Sequence, residues 1–277
     1  MLQYLLWLFA IILYSPIFYQ LYSARWETID YTHAYFILPV SLWLVWRKRK
    51  VLSPLTQGPK PSALNTRALF LLVFGLLMFI FGWRKDYLFV STLSLIPVLF
   101  GLTLYLYGAA FARAVSFPIY YLLLLVPPPL GVLDAITLPM RYGASIVAYL
   151  ILKSFYLPFT RDGLLFSVEG QQLFLGPACS GFRSLIAMIS LGLVYVYLNK
   201  SPLKKKIILL LLIVPLALLG NLVRVIVICL VAYYFGQEAA EGFFHNFSGY
   251  VVFIVTLLGL MGVESFLYSR DSEKFDE

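Results

Sequence analysis

Charge is what this sequence has least of. Only 12% of its 277 residues are Asp, Glu, Lys or Arg, against about 25% in soluble domains. With 61% hydrophobic residues and a mean hydropathy of +0.88, the composition excludes a soluble globular fold and implies an integral membrane protein. Cysteine is almost missing as well. Cys179 and Cys229 are the only two, so no disulfide framework exists. Two cysteines and two histidines, with no CxxC or HxxxH spacing, exclude a structural zinc site, and neither metal nor cofactor is expected. No internal repeat of the kind found in many transporters stands out. The first residues, "MLQYLLWLFAIILYSPIFYQLY", lack a basic n-region and a small-residue cleavage site, and read as a first transmembrane helix that is kept.

Apolar runs and aromatics fill the chain instead. Net charge is +8, but the basic residues cluster at Arg47-Lys48-Arg49-Lys50 and Lys204-Lys205-Lys206. Nucleic acid is no partner, because no soluble domain could carry a basic face. Such clusters between apolar segments mark cytoplasmic loops. Helices of about 20 residues cross the ~30 Å hydrocarbon core, and runs of that order fall near 2–22, 32–46, 67–83, 87–108, 113–130, 134–157, 180–198, 205–235 and 247–268. If all nine crossed, Lys204–Lys206 would lie outside, against the charge bias. The run at 134–157 carries Asp134, Arg141 and Lys153, which a spanning helix tolerates poorly. It reads better as an amphipathic helix on the outer face. "LLFSVEGQQLFL" after it reads as a small β-hairpin at 163–175.

The expected fold is therefore an all-α integral membrane protein of about eight transmembrane helices, both termini inside. A single polytopic membrane domain would occupy 1–277: five crossings in 1–130, the outer helix and hairpin in 131–178, three crossings in 179–268, and a tail at 269–277.

This arrangement brings three polar residues to the outer face from three different segments: Cys179, Arg224 and His245. Cys179 opens a helix after Gly-Pro and before Ser180-Gly, where free N–H groups and the helix dipole favour a thiolate. Arg183 follows one turn later on the same face. Cys229, flanked by "VIVI" and "LVAYY", is an apolar filler. Arg224 is a cation inside an apolar helix, and such residues commonly face a polar site. The alternative is that it snorkels to the interface. Asn221, three residues earlier, shares its face. His245 is either an interfacial histidine or a proton carrier. His33, at the outer entrance of the second run, has the same two readings.

These stretches resemble a known family. "DYTHAYFILPVSLWLVWRKRK", "PACSGFRSL", "NLVRV" and "FFHNFSGY", in this order, are similar to the exosortase/archaeosortase family of membrane cysteine enzymes. The resemblance implies a triad of Cys179, Arg224 and His245 facing the outside of a bacterial cytoplasmic (inner) membrane, with Arg183 and His33 in less defined roles. It implies substrates that are membrane-anchored proteins with a C-terminal sorting signal: a Pro-Glu-Pro type motif, a transmembrane helix and a basic tail. Cleavage through a Cys thioester, followed by transfer to an acceptor or release, is the expected chemistry, in systems often tied to exopolysaccharide production. The rival is a non-catalytic transporter or an assembly subunit of an exopolysaccharide export system. Its polar residues should lie near the bilayer midplane, whereas here they gather toward one face.

Overall fold

The computed structural model describes residues 2–26, 33–57, 65–168, 170–176, 181–199 and 202–242, and in the C-terminal stretch 254, 257–259, 261–262 and 265. The chain divides into two compact units, Met1–Pro129 and Leu130–Glu277.

In the described residues the first unit is helical. Helix α1 (Leu2–Leu21) ends in a π-helical turn, Tyr22–Trp26. It is followed by α2 (Ala34–Arg47), α3 (Arg49–Gln57) and α4 (Thr66–Arg84). Then come α5 (Leu88–Leu93), α6 (Leu95–Ala114) and α7 (Ser116–Tyr121), the last extended by a 3-10 turn, Leu122–Leu125. Asn65 caps α4 by accepting a hydrogen bond from the Ala68 amide, a regular start signal. Helices α4 and α6 touch backbone to side chain: a Cβ on Gly75 would lie 2.6 Å from Val98 Cγ2. Small residues allow that approach where lipid supplies no hydrophobic drive. Gly108, at φ 84°, kinks α6 in a conformation only glycine takes readily. Lys48 Nζ donates to the Ala114 carbonyl at 2.6 Å, placing a cation on the C-terminal end of α6. The outer surface is apolar, as Leu8, Ile11, Phe70 and Leu77 show.

The second unit is built on α10 (Leu203–Phe235), against which α8 (Leu130–Ser154), α9 (Phe182–Leu198) and α11 (Gln237–Glu241) pack. Between α8 and α9 lies an antiparallel sheet in the order β1 (Thr160–Asp162), β2 (Leu165–Val168), β3 (Gln171–Phe174). The expected hairpin is β2–β3, with Val168 opposite Gln171. Strand β1 is an addition, pairing Asp162 with Leu165 across Gly163, whose φ is +61°. Phe166, Val168 and Leu173 of the sheet share one apolar core with Ala148 and Leu152 of α8 and with Val225, Ile228 and Ala232 of α10.

Among the described residues, five helices are long and apolar enough to cross a membrane: Gln3–Ala24, Thr66–Arg84, Leu88–Ala114, Gly131–Ser154 and Leu203–Phe235. Four of them coincide with expected crossings. The expected crossings near 32–46, 113–130 and 180–198 appear as shorter apolar helices, Ala34–Arg47, Ser116–Leu125 and Leu185–Leu198. The expected last crossing, 247–268, falls mostly outside the described residues.

Helix α8 departs from the expected surface helix at 134–157. It starts earlier, at Leu130, and exposes Val132, Ile136, Leu138, Ile146, Val147 and Leu150 while burying Thr137, Arg141 and Ser145. A helix lying on a membrane turns its polar face to water; α8 hides polar groups and shows apolar ones. Asp134 and Lys153, both exposed, sit near its two ends, about 28 Å apart at 1.5 Å per residue. That is close to the thickness of the hydrocarbon core. The charges that argued against a crossing are thus one interior cation and two end residues.

Candidate functional site

Helix α10 carries the centre of the site. Its buried positions are Leu209, Ile213, Ala217, Gly220, Asn221, Arg224, Val225, Ile228, Cys229, Val231 and Ala232. The spacing of three and four makes one continuous stripe. Asn221, 2% exposed, and Arg224, 7% exposed, are the polar members of that stripe. Below them, toward Lys204–Lys206, α9 lies against α10, with Gly192 directly over Ile213. Above them, Val225 to Ala232 lie in the core shared with the sheet. An amide and a guanidinium are therefore set where the helical bundle gives way to the sheet.

Helix α9 meets this place at its first residue. Gly181 is the N-cap, at φ 74° and ψ −2°, and its carbonyl accepts from the Leu185 amide at 2.9 Å. A Cβ at position 181 would lie 2.6 Å from Asn221 Cγ and 2.7 Å from Asn221 Cβ. The position thus requires glycine twice, for its left-handed backbone and for its contact with Asn221. In sequence, Gly181 is two residues after Cys179.

Helix α11 is turned by Gly236, at φ +91°. Ala240, fully buried, docks in the core shared by the sheet and α10. The described residues break off after Gly242, three residues before His245, and resume at Ile254.

Of the expected site residues, Cys179, Ser180 and His245 lie outside the described residues. Arg183 falls in the first turn of α9, its side chain likewise outside the description. Asn221 and Arg224 share one buried face, as their spacing required. His33 is buried, 6% exposed, at the start of α2 in the first unit, where its carbonyl accepts from the Phe36 amide. Cys229 is fully buried among Val225, Ile228 and Ala232, consistent with a filler. Among the described residues no three His, Cys, Asp or Glu side chains come together as a metal site would need.

A polar group on α8 was missed by reasoning from charge alone. Arg161 Nε donates to Ser145 Oγ at 2.6 Å, and Ser145 Oγ donates to the Gly163 carbonyl at 2.9 Å. Arg141 lies one turn before Ser145 and is 9% exposed. The signal was present in the sequence: Leu133, Thr137, Arg141, Ser145, Ala148 and Leu152 repeat at helical spacing.

The chain matches the model of the transmembrane exosortase family over residues 26–262. No curated protein and no solved structure matches it.

Proposed function

The chain belongs to the transmembrane exosortase family, and on that premise we propose that Cys179, Arg224 and His245 form the site of a cysteine peptidase or transpeptidase. Its substrates are membrane-anchored proteins bearing a C-terminal sorting signal. The observation that carries this reading is the contact of Gly181 with Asn221. Two residues of chain span at most about 7 Å, which supports a thiol within reach of the face that holds Asn221 and Arg224.

In the reaction, the Cys179 thiolate attacks a backbone carbonyl of the substrate just outside its membrane helix. The carbonyl π electrons move to oxygen, and Arg224 offsets the negative charge there, as a fixed cation can in a water-poor site. The C–N bond then breaks. Its electron pair leaves with nitrogen, which takes a proton from His245, and a thioester remains on Cys179. His245 next removes a proton from the incoming acceptor, an amine, a hydroxyl or water, and the thiolate leaves as the new bond forms. Asn221 and Ser180 offer hydrogen bonds to the substrate backbone, and Arg183 adds positive charge one turn below the thiol.

The site faces the outer side of the cytoplasmic membrane in this reading. Helix α8 is the fifth crossing, because Ser116–Leu125 reaches only about 15 Å as a helix, half the hydrocarbon core. The count stays at eight, and both lysine-rich clusters stay inside, as the charge bias requires. The sheet, reached by α8 and left by α9, lies toward the outer side, packed along the outer end of α8 from Ser145 to Leu152.

The test is co-expression with a tagged protein ending in such a sorting signal. Cys179→Ala should lower processing at least about a thousandfold, as loss of a nucleophile does. Processing at the normal rate would sink the proposal.

A further inference from the structure

A cavity of about 570 Å³ lies in the first unit between the start of α4 and the end of α6. Asn65, Arg67, Phe100, Leu104, Ala109 and Arg113 are among the residues that line it. The kink at Gly108 falls inside this wall, after Phe100 and Leu104 and before Ala109 and Arg113, so the wall bends where the cavity lies. The basic cluster at the end of α2 is close by, because Lys48 holds the Ala114 carbonyl at 2.6 Å. Arg47 and Arg49 lie over the rings of Trp43 and Trp46, at 5.4 and 4.0 Å from the ring centres. Those three cations have partners within the fold. Arg67 has no hydrogen bond, ion pair or ring contact among the described residues. Arg113 gives its Nε to the Ala109 carbonyl at 3.3 Å, which turns the side chain back along the cavity wall and leaves its terminal nitrogens free among the described residues. No nearby acid answers these charges. Between Tyr31 and Leu133 the sequence holds one acid, Asp86, about 28 Å along α4 from Arg67 at 1.5 Å per residue. Glu27 and Asp30 precede α2, at the end away from the basic cluster. Over such distances screening leaves little attraction.

We propose that this cavity binds the phosphate of an anionic phospholipid, drawn from the leaflet on the lysine-rich side of the membrane. Two guanidinium groups on separate helices each offer a fork of N–H donors that matches phosphate oxygens. The leading amides of α4, which have no intrahelical acceptor, add to the pull on an anion. A lipid fits better than a soluble anion for two reasons. Arg67 is followed at once by Leu69 and Phe70, both exposed and apolar, so the cations stand at the rim of the lipid-facing surface. Phe100 and Leu104 give the cavity an apolar wall, which suits the glycerol and first acyl carbons of a lipid. Trp43 and Trp46, exposed at the same end, are the side chains expected at headgroup level. Basic pockets between membrane helices on the cytoplasmic side are built to hold such headgroups. The bound phosphate ties the start of α4 to the end of α6 across two charges that otherwise repel. The site belongs to the first unit and stands apart from the peptidase reading.

The experiment follows thermal unfolding of the full chain in a neutral detergent, with phosphatidylglycerol, phosphatidylcholine or glycerol 3-phosphate added. Saturating phosphatidylglycerol should raise the melting temperature by about 5 °C over phosphatidylcholine, the size expected for a ligand that binds only the folded chain. Equal shifts from the two lipids, or no shift from either, overturn the proposal, and this comparison needs no substitution. A shift from glycerol 3-phosphate as large as that from phosphatidylglycerol also overturns it, by assigning the cavity to a soluble phosphate compound. Arg67→Gln together with Arg113→Gln should abolish the phosphatidylglycerol shift. Lys204→Gln together with Lys205→Gln removes the same charge from the other basic cluster and should leave the shift intact. Equal loss from the two pairs would mean that net charge alone attracts the lipid, and would overturn the site. Ala109→Phe fills the cavity without changing charge and should cut the shift by at least half. A full shift in Ala109→Phe overturns the proposal, even where the arginine pair fails to fold.

Discussion

The two units bury different kinds of polar group. In the first, most are hydroxyls that bond back to their own helix: Ser91 to the Tyr87 carbonyl, Thr92 to that of Leu88, Thr103 to that of Phe100. Each is satisfied within one turn and asks nothing of its neighbours. In the second unit the buried groups include two arginines and an amide: Arg141, Arg224 and Asn221. Local backbone cannot neutralise a guanidinium, so these groups depend on other elements or on a ligand. The contrast separates a unit whose buried polar groups are mostly satisfied locally from one kept polar inside at a cost in stability. In a protein of marginal stability such a cost points to function.

The sharpest way to break this contrast is to move charge at its centre. Arg224→Gln is expected to lower processing about a hundredfold or more, with normal amounts of protein in the membrane. His33→Ala, the corresponding change at a buried polar residue of the first unit, should do far less. Equal losses from the two would erase the distinction between the units. Gly181→Val should come next. It puts a β-branched residue at a positive φ and a Cβ 2.6 Å from Asn221 Cγ. A loss of about 2–4 kcal/mol in stability should appear as a lowered melting temperature in detergent, together with reduced processing. An unchanged melting temperature would mean that the α9 start can move away from Asn221. The smallest effect is expected in the first unit. Tyr14 OH and Ser94 Oγ lie 2.7 Å apart, but Ser94 also donates to the Ser91 carbonyl. Tyr14→Phe therefore leaves Ser94 partnered and should cost about 0.6 kcal/mol in thermal unfolding, with processing untouched.

Hydropathy made α1, α4, α6 and α10 legible, because long apolar runs have few other outcomes. The alternation in "LLFSV" and "LFL" located β2 and β3. Strand β1 was hidden because "TRD" is too short and too polar to show a strand pattern. The break between α5 and α6 falls at Ser94 inside an unbroken apolar run, where composition carries no mark. Helix α8 differs from the expected surface helix for a different reason. Its three charges were counted, but their angular positions on the helix were not. Asn221 beside Arg224 followed from spacing, whereas the contact of Gly181 with Asn221 joins two helices and has no local signature.

Helix α8 also bears on how the chain is made. It is the least apolar of the five helices able to cross among the described residues, and in the crossing proposed for it Arg141 makes passage from the translocon into lipid unfavourable. The groups that fix its polar stripe, Arg161 and Gly163, emerge from the ribosome only 16 to 18 residues after Ser145, and α10 follows later. A helix of this kind is expected to linger in the protein-conducting channel until those groups arrive, and to leave it as part of an assembled hairpin. Chains truncated just after Ser154 should then fail to integrate stably, whereas chains extended through α10 should resist carbonate extraction.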